Sequence, residues 1–135
     1  MLKRTKILNR PEIELVEISD KAHESSSKYN VFLLFGEHAR EMISPETGLN
    51  IAKALCGQAS TTVDVHENLH KFNYHMVLNA NPDSRKKVEA GEYCLRVNEN
   101  GVDLNRNWDD HWEHDVPISF YIYAILIPYL VQVRR

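Results

Sequence analysis

Cysteine is scarce in this chain of 135 residues: Cys56 and Cys94 are the only two. They lie too far apart for a C-x-x-C metal knuckle, and two thiols do not by themselves define a redox compartment, so pairing and free thiols both stay open. Excess basic charge is missing as well. A net charge of −3 offers no concentrated basic face for phosphates, so no nucleic acid partner is expected, and Lys3, Arg4, Lys6 and Arg10 read as a solvated edge. The first nine residues carry charge but lack the apolar stretch of about 7–15 residues that a secretory signal needs. Internal repeats and low-complexity tracts are absent too. What is present, 43% hydrophobic and 26% charged residues, is the balance of a folded globular chain.

Residues 31–35, Val-Phe-Leu-Leu-Phe, form a short apolar run between polar neighbours, as expected of a strand buried on both faces in a parallel sheet. Ser44-Pro45-Glu46-Thr47 predicts a helix start: Ser44 can cap free amides, Pro45 is tolerated in the first turn, and Glu46 suits the positive end. Leu49, Ile51, Ala52 and Leu55 then make an apolar stripe ending at Leu55 or Cys56, with Gly57 free to turn left-handed. A weaker helix is expected over residues 63–71. Residues 74–79 read as a second buried strand that ends in the turn Asn81-Pro82-Asp83. Strand, helix, helix and strand in that order fit a parallel crossover. Residues 84–100 are charged and aperiodic and read mainly as loop.

Immediately after the first apolar run comes Gly36-Glu37-His38-Ala39-Arg40-Glu41. An imidazole and a carboxylate three positions apart can supply two of the three protein ligands of a catalytic zinc. The strand end is also where open α/β sheets place ligands. A lone H-x-x-E is otherwise an ordinary solvated pair. Asn105-Arg106-Asn107 alone would be a turn whose arginine pairs with Asp103, Asp109 or Asp110, and Arg96 alone a solvated loop residue.

Their order and spacing change that balance. H-x-x-E at 38–41, Asn-Pro-Asp at 81–83, R-x-N at 96–98 and Gly-Val-Asp-Leu-Asn-Arg-Asn-Trp at 101–108 together resemble the zinc carboxypeptidase family, over roughly residues 31–113. The resemblance implies an α/β fold with a mixed, mostly parallel sheet flanked by helices, and Zn2+ as cofactor. It also implies that zinc-activated water cleaves the last peptide bond of a peptide or protein C-terminus. By the same resemblance His38 and Glu41 would bind the metal, and Arg96 would polarise the scissile carbonyl. Asn105 and Arg106 would hold the terminal carboxylate, and Arg40 would contact substrate further away. A guanidinium suits such work because its planar fork matches a carboxylate with two parallel hydrogen bonds.

The chain departs from the family in several places. Ser84 stands where Gly usually follows Asn-Pro-Asp, and a side chain there is expected to alter a turn that needs positive dihedrals. The family's third zinc ligand, general-base Glu and substrate-closing Tyr fall beyond Arg135 at family spacing, and its opening helix and first strands look largely absent before the strand-like residues 12–18. Residues 1–115 are therefore expected to be a partial catalytic domain, truncated at both ends, with turnover of its own left open. Family relatives are often secreted, but the chain itself leaves its compartment open. The alternative function is a non-catalytic protein that binds zinc and a peptide carboxylate, tethered by its apolar tail.

That tail, residues 116–135, lies outside the family pattern. Residues 116–133 contain no charge, and a run of about 18 is at the lower limit for crossing a bilayer. Arg134 and Arg135 suit a membrane boundary, whereas Pro117 and Pro128 oppose one. An altered splice product, gene-model artefact or truncation is the preferred reading, ahead of a buried or oligomer-forming helix and, last, a membrane anchor. Among the other histidines, His66 and His70 sit four apart on the weaker helix and could chelate a metal, but read as solvated. His111 and His114 match no family ligand position, His75 reads as a satisfied strand residue, and His23 lies in a polar, Ser-rich loop.

Overall fold

The computed structural model describes residues 2–7, 10–23 and 27–108. The tail at 116–135 with its membrane reading, and His111 and His114, lie outside the described residues. Among those described, no helix is long and apolar enough to cross a membrane.

One four-stranded sheet, ordered β1-β2-β4-β3, organises the chain. β1 (Leu2–Ile7) and β2 (Arg10–Ile18) pair antiparallel, Leu2 opposite Ile18 and Thr5 opposite Leu15. β3 (Tyr29–Leu34) pairs parallel with β4 (Phe72–Val77), Val31 opposite Tyr74 and Leu34 opposite Val77. β2 runs antiparallel to β4. The α/β class and the mixed sheet are as expected, but the share of parallel pairing is smaller: β3–β4 is the one parallel pair among the described strands. β1–β2 and β2–β4 are both antiparallel, and β1 is a strand the sequence reading did not recognise. Two residues between β1 and β2 permit a hairpin and nothing longer, and a hairpin is antiparallel. One strand, β1, thus precedes β2, and Lys3, Arg4 and Lys6 belong to it, at an edge of the described sheet where charge discourages edge-to-edge association, while Arg10 opens β2.

Alternation along the strands divides the core in two. Val16, Ile18 and Met76 bury against Ala52, flanked by Leu33, Phe35, Ile51, Leu55 and Leu69. Ile13 and Val77 face the other way with Ala80, against Leu15, Phe32, Leu34 and Leu104. Side chains as enclosed as Ile13 and Met76 contribute about 1.5–3 kcal/mol each by leaving water. β3 is less enclosed than its apolar run suggested, with Tyr29 and Asn30 exposed and residues 31–34 half-buried, because among the described strands it has a neighbour on one side only.

The crossover from β3 to β4 is made by α1 (Ile43–Leu55) and α2 (Val65–Lys71). α1 begins two residues earlier than expected, at Ile43 rather than Pro45, and Ser44 does not cap it; the Ser44 hydroxyl instead accepts the Gly36 N–H at 3.1 Å. That bond ties the helix start to the segment carrying His38. α1 ends where expected, at Leu55, with Gly57 at φ +70°. α2 is capped by Asp64, whose carboxylate accepts the Glu67 N–H at 3.0 Å.

The stretch read as loop from residue 84 is corrected in part, since Pro82–Glu89 forms a third helix, α3. Ser84 lies inside it and is fully buried, so the helical path removes the demand for glycine. His75 makes contacts on the sheet surface, with Nδ1 at 3.6 Å from Glu17 and Nε2 at 3.4 Å from Asn30 Oδ1. His70 pairs with Asp20 at 3.3 Å and His66 is exposed. The backbone of His23 closes a short 3-10 turn, Lys21–His23. Cys56 and Cys94 are both free thiols.

Candidate metal centre

β3 does not stop cleanly at its last residue. The Phe35 N–H donates to Val77 O and the Ala80 N–H to Phe35 O, both at 2.9 Å, which carries the β3–β4 pairing to the brink of the turn. Gly36 then turns the chain at φ +72°, where a Cβ would meet Asn79 and Pro45. Next the Ala39 N–H reaches Arg96 O at 3.2 Å and the Glu41 N–H reaches His38 O at 3.1 Å. This tight turn puts the side chains of His38 and Glu41 on the same side.

Four side chains close a ring there. His38 Nδ1 lies 2.8 Å from Glu41 Oε1, and His38 Nε2 lies 3.1 Å from Asp103 Oδ1. Arg96 Nε donates to Asp103 Oδ2 at 2.7 Å, and its Nη1 reaches Glu41 Oε1 at 3.5 Å. His38 is buried, whereas the Glu41 side chain is about half exposed. Asp103 also accepts the Asn105 N–H at 3.0 Å, which opens the 3-10 turn Leu104–Arg106.

The donor chemistry fits a cation. A carboxylate faces each ring nitrogen, and with the ring proton on Nε2, donated to Asp103, the Nδ1 lone pair faces Glu41 Oε1, where a second proton or a metal is needed between the two acceptors. Two donors on one tetrahedral zinc ion, each at about 2.0–2.2 Å, lie roughly 3.3–3.6 Å apart, so this pair opens by about half an ångström to take the ion. No third ligand joins them among the described residues.

Asp103 was not among the residues singled out from sequence, although a signal for it existed. Metal-bound histidines nearly always donate their second nitrogen to a carboxylate or carbonyl, and Asp103 is the acid inside the Gly-Val-Asp-Leu-Asn-Arg-Asn segment. Hydrogen bonding by Arg96 is the main influence holding its carboxyl down to about 2, with further bonds from His38 and the Asn105 N–H. The folded value is thus below the ordinary one of about 3.9. Its contribution to stability is fully present above about pH 4 and disappears as pH falls through about 2. The melting-temperature gap between the wild type and Asp103→Asn is therefore expected to close between pH 4 and pH 2; a gap constant over that range would contradict the linkage.

Glu37 is the second unanticipated carboxyl. Burial raises its pKa, against His38 and a hydrogen bond from the Trp108 side chain, which lower it. Its Oε1 is enclosed without a partner among the described residues.

The remaining expected site residues sit at the rim. Asn105 and Arg106 follow Asp103 directly, both exposed, with Arg106 Nη1 donating to Asn105 O at 2.8 Å. Arg40 is exposed, its Nη1 at 3.5 Å from Cys94 O. The structure thus joins His38, Glu41 and Arg96 directly, brings Asn105 alongside through Asp103, and leaves the guanidinium groups of Arg40 and Arg106 contacting main-chain carbonyls. A groove of about 580 Å3 between α1, α2 and β2, lined by Val16, Ile18, Leu49, Leu55, His66 and Leu69 among others, includes none of these residues.

Residues 7–120 match the family described as zinc carboxypeptidase. Zinc carboxypeptidase A 1 of Anopheles gambiae is 39% identical over 94 residues, which cover 61% of this chain and 20% of that protein. Among solved structures, thrombin activatable fibrinolysis inhibitor superposes with a TM-score of 0.70 at 23% identity, over 93% of this chain and 34% of its own. A metallo-carboxypeptidase from Burkholderia cenocepacia gives a TM-score of 0.68 at 20% identity, over 98% and 32%. At those identities the superpositions speak for the fold. The chain spans about a fifth of the Anopheles protein and about a third of each solved chain.

Proposed function

This chain belongs to the zinc carboxypeptidase family, and from that premise we propose that it serves metal-dependent hydrolysis of C-terminal peptide bonds in peptides or proteins, with His38 and Glu41 as zinc ligands. The observation that carries the reading is the 2.8 Å approach of His38 Nδ1 to Glu41 Oε1, with Asp103 behind the opposite ring nitrogen. When bound, zinc supplies a Lewis acid and brings the pKa of water toward about 7.

The protein's own side chains then divide the remaining work. Asp103 keeps the Nε2 proton of His38 in place and so leaves Nδ1 for the metal. Arg96, held by Asp103 with its Nη1 directed toward Glu41, is placed to donate to a carbonyl oxygen as negative charge develops on it. Asn105 and Arg106, exposed at the rim beside Asp103, are suited to receive a free α-carboxylate, and Arg40 a more distant part of the peptide. A terminal carboxylate distinguishes the end of a chain from its interior, and a guanidinium reads that difference by charge and by geometry.

Calorimetry on the zinc-loaded chain, with a short peptide and its C-terminally amidated twin, tests this reading. Charge-assisted hydrogen bonds of about 1.5–3 kcal/mol predict that the free acid binds roughly tenfold to a hundredfold more tightly, and that Arg106→Ala abolishes the preference. Equal affinity for acid and amide would remove the carboxylate clamp from the account.

A further inference from the structure

Asn81 occupies the position before the first turn of α3, where asparagine ordinarily turns back to cap its own helix. Here it makes no such bond. Its side chain is almost completely buried, and Nδ2 donates instead across to Glu37 O at 3.2 Å, the carbonyl immediately before His38. Oδ1 has no partner among the described residues, so that one carbonyl is the amide's sole recorded side-chain hydrogen-bond partner. One turn later on the same helix, Arg85 Nη1 reaches Met42 O at 3.4 Å, the carbonyl immediately after Glu41. Its Nε is meanwhile held by Glu89 at 2.8 Å.

Both bonds end on main-chain atoms flanking the His38–Glu41 segment, and both start from α3. The two carbonyls bracket the residues whose separation decides whether a metal is gripped. Nothing in the motif carrying Asn81 contributes a ligand. From this juxtaposition we infer that Asn81 is a positioning residue for the metal pair: with Arg85 as its partner at the far end, it fixes the backbone from Glu37 to Met42 so that His38 and Glu41 converge. The inference rests on the proposed zinc role of those two residues. It adds that α3 holds the loop in its binding conformation, which the metal would otherwise have to select from a wider set.

A bond to the frame of a metal site is worth about 10–100-fold in metal affinity. Zinc affinity of the full chain, measured by competition with a chelating dye, is expected to fall by that factor in Asn81→Ala and by a smaller factor in Arg85→Met. The absorption bands of the cobalt-substituted protein should shift in both. Asn81→Asp, which keeps the shape and loses the donor, should match the alanine variant and serves where alanine does not fold. Val88→Ala, a cavity in the buried face of the same helix, should lower the melting temperature yet leave zinc affinity within about twofold of wild type. The inference is overturned if both Asn81 variants bind zinc as tightly as the wild type, or if Val88→Ala weakens binding as much as they do. A wild-type chain that takes up no zinc would instead bring down the metal reading itself, and this inference with it.

Discussion

Replacing His38 by alanine is expected to weaken zinc binding by about a hundredfold or more. Structural zinc sites in small domains bind with about 10–16 kcal/mol over four ligands, so one nitrogen donor is worth roughly 3 kcal/mol, and each 1.4 kcal/mol is a factor of ten. The effect should be separable from unfolding. His38 belongs to neither apolar cluster, and when it is removed Asp103 keeps its bonds from Arg96 and from the Asn105 N–H. The metal-free melting temperature should therefore move by only a few degrees while the zinc titration collapses. Equal zinc affinity in the variant would mean that any bound metal sits elsewhere.

Gly36→Ala should be the most damaging single methyl group in the site region. The backbone there has φ +72°, and a Cβ would lie 2.8 Å from Asn79 Oδ1, 3.0 Å from Pro45 Cγ and 3.1 Å from Asn79 Cα. A left-handed conformation with a side chain costs about 1–2 kcal/mol, and overpacking adds about 1–3 kcal/mol. Two of the three obstructing atoms, a proline ring carbon and a main-chain carbon, have little room to retreat. A loss of about 2–5 kcal/mol corresponds to roughly 10 °C or more in melting temperature for a chain of this size. The strain falls between the last β3 residue and His38, so zinc affinity should decline together with stability. An alanine variant that melts like the wild type would show that the turn can be made another way.

Much of this architecture was legible because the relevant signals are local. The apolar run ending at Phe35 and the stripe ending at Leu55 each declare themselves within a few residues, and the family resemblance joined His38 and Glu41 to Arg96 and Asn105 across the chain; Asn81-Pro82-Asp83, read as a turn, instead opens α3. What stayed hidden depends on partners distant in sequence. β1, Leu-Lys-Arg-Thr-Lys-Ile, reads as a basic edge until β2 is known to lie beside it. α3 is eight residues with two buried positions, Ser84 and Val88, too narrow a stripe to rise above its charged neighbours. Ser44 had a helix to cap and a glycine amide to satisfy, and the amide lay across a turn that the sequence does not show. Asp103 was hidden differently: its role follows from the chemistry of the opposite histidine nitrogen, which becomes visible only when residues 38 and 103 are brought together.

The central claim is that one zinc ion is held jointly by His38 and Glu41, and zinc K-edge absorption on the purified chain addresses it most directly. The account predicts a first shell of nitrogen and oxygen at about 2.0–2.2 Å, with imidazole outer-shell scattering that diminishes in His38→Ala. A shell containing sulfur near 2.3 Å, drawn from Cys56 or Cys94, or a spectrum unchanged by removal of His38, would contradict it.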